Sequence, residues 1–197
     1  VEPVQGEGGF YVAPPEFISG LKALADRYGI LLIADEVQTG AGRTGTWFAC
    51  EQSGIAPDLI TLAKSMAGGF PISAVIRRPE VMHQHAAGGL SGPYAGRPIA
   101  RAASLQTLAK KHKCIADVRG LGAMVAMELC KNGDVHQPDA DLTKALAAEA
   151  TKRGLIILTC GTYGNVVRIL VPLTASDAVL DEGLAIIGAS LEAALAA

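Results

Sequence analysis

The chain carries few aromatic side chains, only one tryptophan, and almost no net charge, −2 over 197 residues. So even a balance, with no basic run, argues against a nucleic-acid footprint, and no block of like charge marks a tail. The four cysteines, Cys50, Cys114, Cys130 and Cys160, are scattered without a CxxC pair. That spacing disfavours a zinc site and a disulfide framework, so reduced thiols in a cytoplasmic protein are expected. No charged leader followed by an apolar stretch opens the chain, and a signal peptide is not expected. No uncharged apolar run approaches the ~18 residues that a spanning helix requires, so no membrane contact is expected either. Nucleotide fingerprints are missing as well. The glycines of Gly6-Glu7-Gly8-Gly9 leave Tyr11 at the third glycine position of GxGxxG, with no helix directly after, and GxxxxGK[ST] occurs nowhere.

What is present is a strongly apolar, glycine-rich chain, long enough for one substantial core or a domain with a smaller lobe. It opens at Val1 in what reads as a strand-to-loop transition, so a missing beginning is expected. Pro14 and Pro15 start a helix that Gly29 closes, with Phe17, Leu21, Leu24 and Tyr28 as its buried face. Residues 30–34 read as a continuous buried strand, as in parallel sheets. A glycine loop follows over 38–46, then a short helix over 47–53 and a strand over 58–63. A third strand is expected over 72–76, a short helix over 79–85, a glycine-rich loop over 86–96 and a helix over 98–112. A second lobe starts near Cys114: strands over 115–118 and 123–129, a helix over 140–153, strands over 155–158 and 166–171, and a last helix. Thr174 to Asp177 reads as that helix's capping box. The alternation predicts a doubly wound α/β sheet followed by an α+β lobe.

Lys64 stands just beyond the strand ending at Ala63 and just before a glycine pair, and Asp35 ends the strand of residues 30–34. Parallel strands joined by one crossover bring both side chains to one edge of a sheet, where open α/β sheets bind ligands. An amine able to form an imine beside a carboxylate points to a carbonyl cofactor. The pair then reads as Lys64 joined to pyridoxal phosphate, with Asp35 on the pyridinium nitrogen; a structural ion pair is the other reading of the same spacing. Arg168 interrupts the apolar run of residues 166–170. It is either a carboxylate binder or a strand-edge residue. His83, His85, His112 and His136 lack ligand spacing and read as surface residues, and Arg43 reads as solvated.

With these residues laid out, the chain resembles the class III pyridoxal-phosphate aminotransferases of fold type I. The likeness rests on EPVQGEGGF at 2–10, LLIADEVQTGAGRTG at 31–45, PDLITLAKSMAGGFPISAV at 57–75, DVRGLGAM at 117–124 and RILVPLT at 168–174. It implies the mostly parallel sheet of a large cofactor-binding domain over 1–112, then a small α+β domain over 113–197. It implies Lys64 as the lysine joined to the cofactor, Asp35 as the carboxylate on the ring nitrogen, Val37 packing on a ring face and Gln38 bonding the phenolic oxygen. Arg168 resembles the arginine that takes the α-carboxylate of 2-oxoglutarate or glutamate. Glu2 resembles the acidic gate that neutralises that arginine while an ω-amino substrate is bound. The pair favours transfer of an amino group from 4-aminobutyrate to 2-oxoglutarate in a homodimer. Acetylornithine, ornithine and 5-aminovalerate are the competing substrates, and a non-catalytic remnant is the competing class.

The chain also departs from that family. Its members are longer chains with an N-terminal half that has no counterpart here. The family's GTYAG segment reads Gly92-Pro93-Tyr94-Ala95-Gly96, and proline lacks the hydroxyl and the N–H that would meet the cofactor phosphate. A stretch of helix is missing between Leu108 and His112.

Overall fold

The computed structural model describes residues 1–67, 70–77 and 100–196. The helix expected over 79–85, the loop over 86–96, Pro93, His83 and His85 lie outside them. Two compact units divide the chain: Val1–Gly6 with Val12–Gly96, and Glu7–Tyr11 with Arg97–Ala197.

The first unit opens its regular structure with α1 (Pro15–Tyr28). Proline starts it and Gly29 ends it in the left-handed region, its N–H donating to the carbonyls of Ala25 and Asp26. The helix buries Ile18, Lys22 and Ala25, not the expected face: Phe17 is 54% exposed, and Leu24 and Tyr28 are exposed too. Lys22 turns inward because two carboxylates, Asp26 and Asp58, receive it there.

The sheet of this unit runs β1 (Ile33–Asp35), β2 (Leu59–Leu62) and β3 (Ala74–Arg77), in that order. β1 and β2 are parallel, with Asp35 opposite Thr61, and β3 lies antiparallel to β2. The expected buried strand over 30–34 is therefore shorter and alternates. Ile33 faces solvent and Ala34 faces the core, because successive side chains of a strand point to opposite faces and only one face of this strand is covered. Residue 1 runs alongside it, exchanging bonds with Ile33 and Asp35. The core is small: Ala34, Cys50, Ile60, Leu62 and Ala74.

The second unit is an antiparallel sheet of β4 (Ile115–Leu121), β5 (Met124–Leu129), β6 (Leu158–Cys160) and β7 (Val166–Ile169), ordered β4-β5-β7-β6. Its helices are α2 (Ala100–Lys111), α3 (Ala140–Lys152) and α4 (Asp177–Ala196). They supply Leu105, Leu146, Ile187 and Leu191 to a core shared with Met127 and Val167. Because Leu105 of α2 sits in this core, the contacts divide the chain at 96/97, before the helix, whereas the resemblance implied a boundary after it at 112/113.

Asp139 caps α3 by accepting from the Leu142 N–H at 3.0 Å. On α4 the Ser176 hydroxyl accepts from the Val179 N–H, so Ser176 caps this helix in place of Thr174. β6 falls three residues later than expected, since pairing with β7 sets Thr159 opposite Val167. No helix among the described residues is long and apolar enough to cross a membrane.

Candidate functional site

The parallel register of β1 and β2 brings two groups to one sheet edge. Asp35 closes β1, and Lys64 follows β2 by two residues. Asp35 Oδ1 accepts from the Val37 N–H at 3.2 Å and the Thr61 hydroxyl at 3.0 Å, while no described residue holds Oδ2. Lys64 is exposed, and its ammonium has no hydrogen-bond or ion-pair partner among the described residues. Its backbone sits at φ +49°, a left-handed conformation that costs a side-chain-bearing residue about 1–3 kcal/mol. Among the described residues the amine makes no structural ion pair, and its strained backbone and the half-satisfied carboxylate at the same sheet edge leave both groups for a ligand.

The turn between them is built on a residue that the sequence reading missed. Glu36 is fully buried and accepts from the N–H groups of Ala49 and Cys50, at 3.0 and 2.8 Å, and from the Thr39 hydroxyl. It thereby closes the 3-10 helix Ala49–Ser53 against the end of β1. The Asp-Glu pair was visible, but nothing local separates the inward acid from the outward one. Burial, with Glu36 adding to it, pushes the Cys50 thiol up to about 12. Gln38 lies so close over Gly6 that a Cβ there would meet its Nε2 at 2.0 Å. Arg43, expected in solvent, is buried and donates to the Ser65 hydroxyl at 3.3 Å; burial lowers its pKa.

The second unit has its own charged face. Arg119, Ala126 and Arg168 are direct neighbours on β4, β5 and β7, so the two guanidinium groups flank one methyl. Arg168, 13% exposed in its side chain, takes a carboxylate from Glu7, Nη1 to Oε1 2.5 Å. Its Nε is buried without a partner among the described residues. The resemblance implied Glu2 for this pairing. Glu2 instead accepts from the Gly6 N–H at 2.8 Å, a local turn bond that engages the carboxylate.

Arg119 reaches Glu128 at 2.5 Å, Asp117 at 2.9 Å and the Gly9 carbonyl at 2.9 Å, with its guanidinium 4.0 Å from the Tyr11 ring centre. Burial works against its charge, and the two carboxylates outweigh it, raising the pKa. Burial pushes the Tyr11 phenol up against the opposing pull of Arg119. An apolar cavity of about 410 Å³ in this unit, lined by Leu105, Ile157, Pro172 and Leu180 among others, holds no titratable group but Arg168 at its wall. No group of three His, Cys, Asp or Glu able to hold a metal occurs among the described residues.

The family model of the class-III aminotransferases matches residues 1–110 and 102–191. This chain belongs to that family. Among curated class-III relatives, 4-aminobutyrate aminotransferase GabT of Escherichia coli is 54% identical over 213 positions, covering 95% of this chain and 50% of the relative. The 5-aminovalerate aminotransferase DavT of Pseudomonas aeruginosa gives the same figures. The chain thus spans about half the length of the curated relatives it matches. Those alignments are longer than its 197 residues, so the relatives hold residues that it lacks. The two family matches share 102–110, inside α2, where a missing stretch was expected. Among solved class-III structures, N-acetylornithine aminotransferase of Stenotrophomonas maltophilia is 30% identical with a TM-score of 0.82, covering 99% of this chain and 56% of that one. The ornithine aminotransferase of Plasmodium yoelii is 27% identical with a TM-score of 0.80, covering 98% and 56%. The α/β fold of the class-III enzymes is thereby established for this chain.

Proposed function

We propose that this chain forms the lysine-bearing part of an ω-amino acid transaminase that uses pyridoxal phosphate, with 2-oxoglutarate as amino acceptor. The observation that carries the reading is the shared sheet edge of Asp35 and Lys64, one with an unengaged carboxylate oxygen and the other with an unpartnered amine. When bound, the cofactor supplies a carbonyl that takes up amines and a ring that accepts the electron pair left when a substrate carbon loses its proton. Asp35, fixed by the Val37 N–H and the Thr61 hydroxyl, holds a negative charge where a ring nitrogen would keep its proton. Lys64 Nζ binds the cofactor and, once free, takes and returns a proton. Val37 would pack against the bound cofactor's ring, and the Gln38 amide would bond its phenolic oxygen.

Arg168 binds the α-carboxylate of glutamate or 2-oxoglutarate through the guanidinium nitrogen that Glu7 otherwise holds. Glu7, in place of Glu2, is the acid that neutralises Arg168 when the substrate brings no α-carboxylate. Relatives named for 4-aminobutyrate and for 5-aminovalerate match equally well, which favours the ω-amino acid class over one chain length. The same reading carries a homodimer and a cytoplasmic setting that accords with four free cysteines.

Incubating the chain with pyridoxal phosphate and reducing with borohydride tests the reading. The pyridoxyl group is expected on Lys64 by peptide mapping and is lost in Lys64→Ala. Labelling spread over other lysines, unchanged in that variant, refutes it.

A further inference from the structure

We propose that Arg119 is a positioning residue that fixes the segment Glu7–Tyr11 so that the Glu7 carboxylate meets Arg168. This rests on reading Arg168 as the carboxylate-binding arginine and adds what sets its partner in place. The segment turns over residues 6–9, and its residues 7, 9 and 11 each touch an arginine of the row Arg119, Ala126, Arg168. Glu7 meets Arg168, the Gly9 carbonyl accepts from Arg119 Nε, and the Tyr11 ring lies against the Arg119 guanidinium. The Tyr11 hydroxyl also reaches Glu128 at 3.3 Å, and Glu128 itself holds Arg119.

Two of these three contacts are made by one side chain. Arg119 is 13% exposed and is braced from behind by Asp117 and Glu128, so it presents a fixed fork rather than a mobile cation. A lysine could keep one ion pair but could not also donate sideways to Gly9 and lie flat on a ring. The glycine under the fork fits the same account. Gly9 sits at φ +114°, and a Cβ on it would meet Arg119 Nη2 at 3.1 Å. Glu7 itself is 72% exposed, so its pairing with Arg168 has little packing to hold it. The anchorage two and four residues further on holds it, together with the Gly161 N–H, which donates to the Glu7 carbonyl at 3.0 Å.

Hydrogen exchange at the Gly161 amide reads the segment directly and needs no catalytic activity. At low salt, Glu7→Gln should speed that exchange about threefold, the size of an ion pair partly open to water, and should have no effect once Arg168 is Gln. In an Arg119→Gln background that coupling should vanish, and Arg119→Lys should behave like Arg119→Gln. Should Arg119→Gln fail to fold, Tyr11→Leu leaves every charge in place and should also abolish the coupling. Coupling of equal size in the Arg119 variants, or full rescue by lysine, overturns the positioning role. No coupling in the native background overturns the Glu7–Arg168 reading beneath it. A general loss of stability alone would speed exchange in all variants without removing the coupling, and would count against the proposal.

Discussion

In the second unit β5 is buried along almost its whole length, whereas in the first β1 alternates between solvent and core. The second unit layers three helices over four strands around Met127, Leu129, Val167 and Leu191. Among the described residues the first gathers two alanines, a cysteine and two aliphatic residues into its cluster, and leaves Phe17, Tyr28, Ile30 and Leu31 in solvent. Apolar burial is the main favourable term in folding, so the difference assigns most of the stability to the second unit. The groups proposed for chemistry on the cofactor, Lys64 and Asp35, stand on the thinner core. The residues proposed to bind carboxylate stand on the thicker one.

The comparison is broken most forcefully by Leu129→Ala. Deleting this fully buried side chain should cost the second unit about 2–5 kcal/mol in urea or thermal unfolding. A loss no larger than that of a surface substitution would refute the assignment of stability. A smaller effect sharpens the first unit. Its Cys50 thiol is pushed from 9.0 to about 12, so in alkali the folded chain keeps a proton that the unfolded chain gives up. Stability from this group is intact below pH 9 and is lost as pH rises toward 12. Melting temperature should therefore fall faster over that window in the native chain than in Cys50→Ala; parallel profiles would remove the effect. The smallest change is expected from Phe17→Ser on α1, within about 0.5 kcal/mol, because that ring already faces water. A drop comparable to Leu129→Ala would mean that the ring is covered in solution.

Local signals carried far in this chain. The proline start and glycine end of α1, the strands at β2 and β5 and the helix α3 all follow from periodicity and caps, and the sheet edge of Lys64 and Asp35 follows from strand spacing. Burial was harder to read. Residues 30–34 are uniformly apolar, and no pattern in such a run tells a covered strand from one with a bare face. The charged face was least legible. Glu7 and Arg168 are 161 positions apart, and two glutamates, at 2 and 7, were available for one arginine. A contact between residues so far apart in sequence forms only in the folded chain, and no local pattern announces it.

Lys64 leaves β2 in a left-handed turn, a position that glycine would fill without strain. A sequence optimised for robustness alone would therefore drop the lysine, and any stabilising redesign of this chain will be drawn to remove it. The residue proposed for chemistry on the cofactor is thus also a strained one, a local trade between endurance and reactivity.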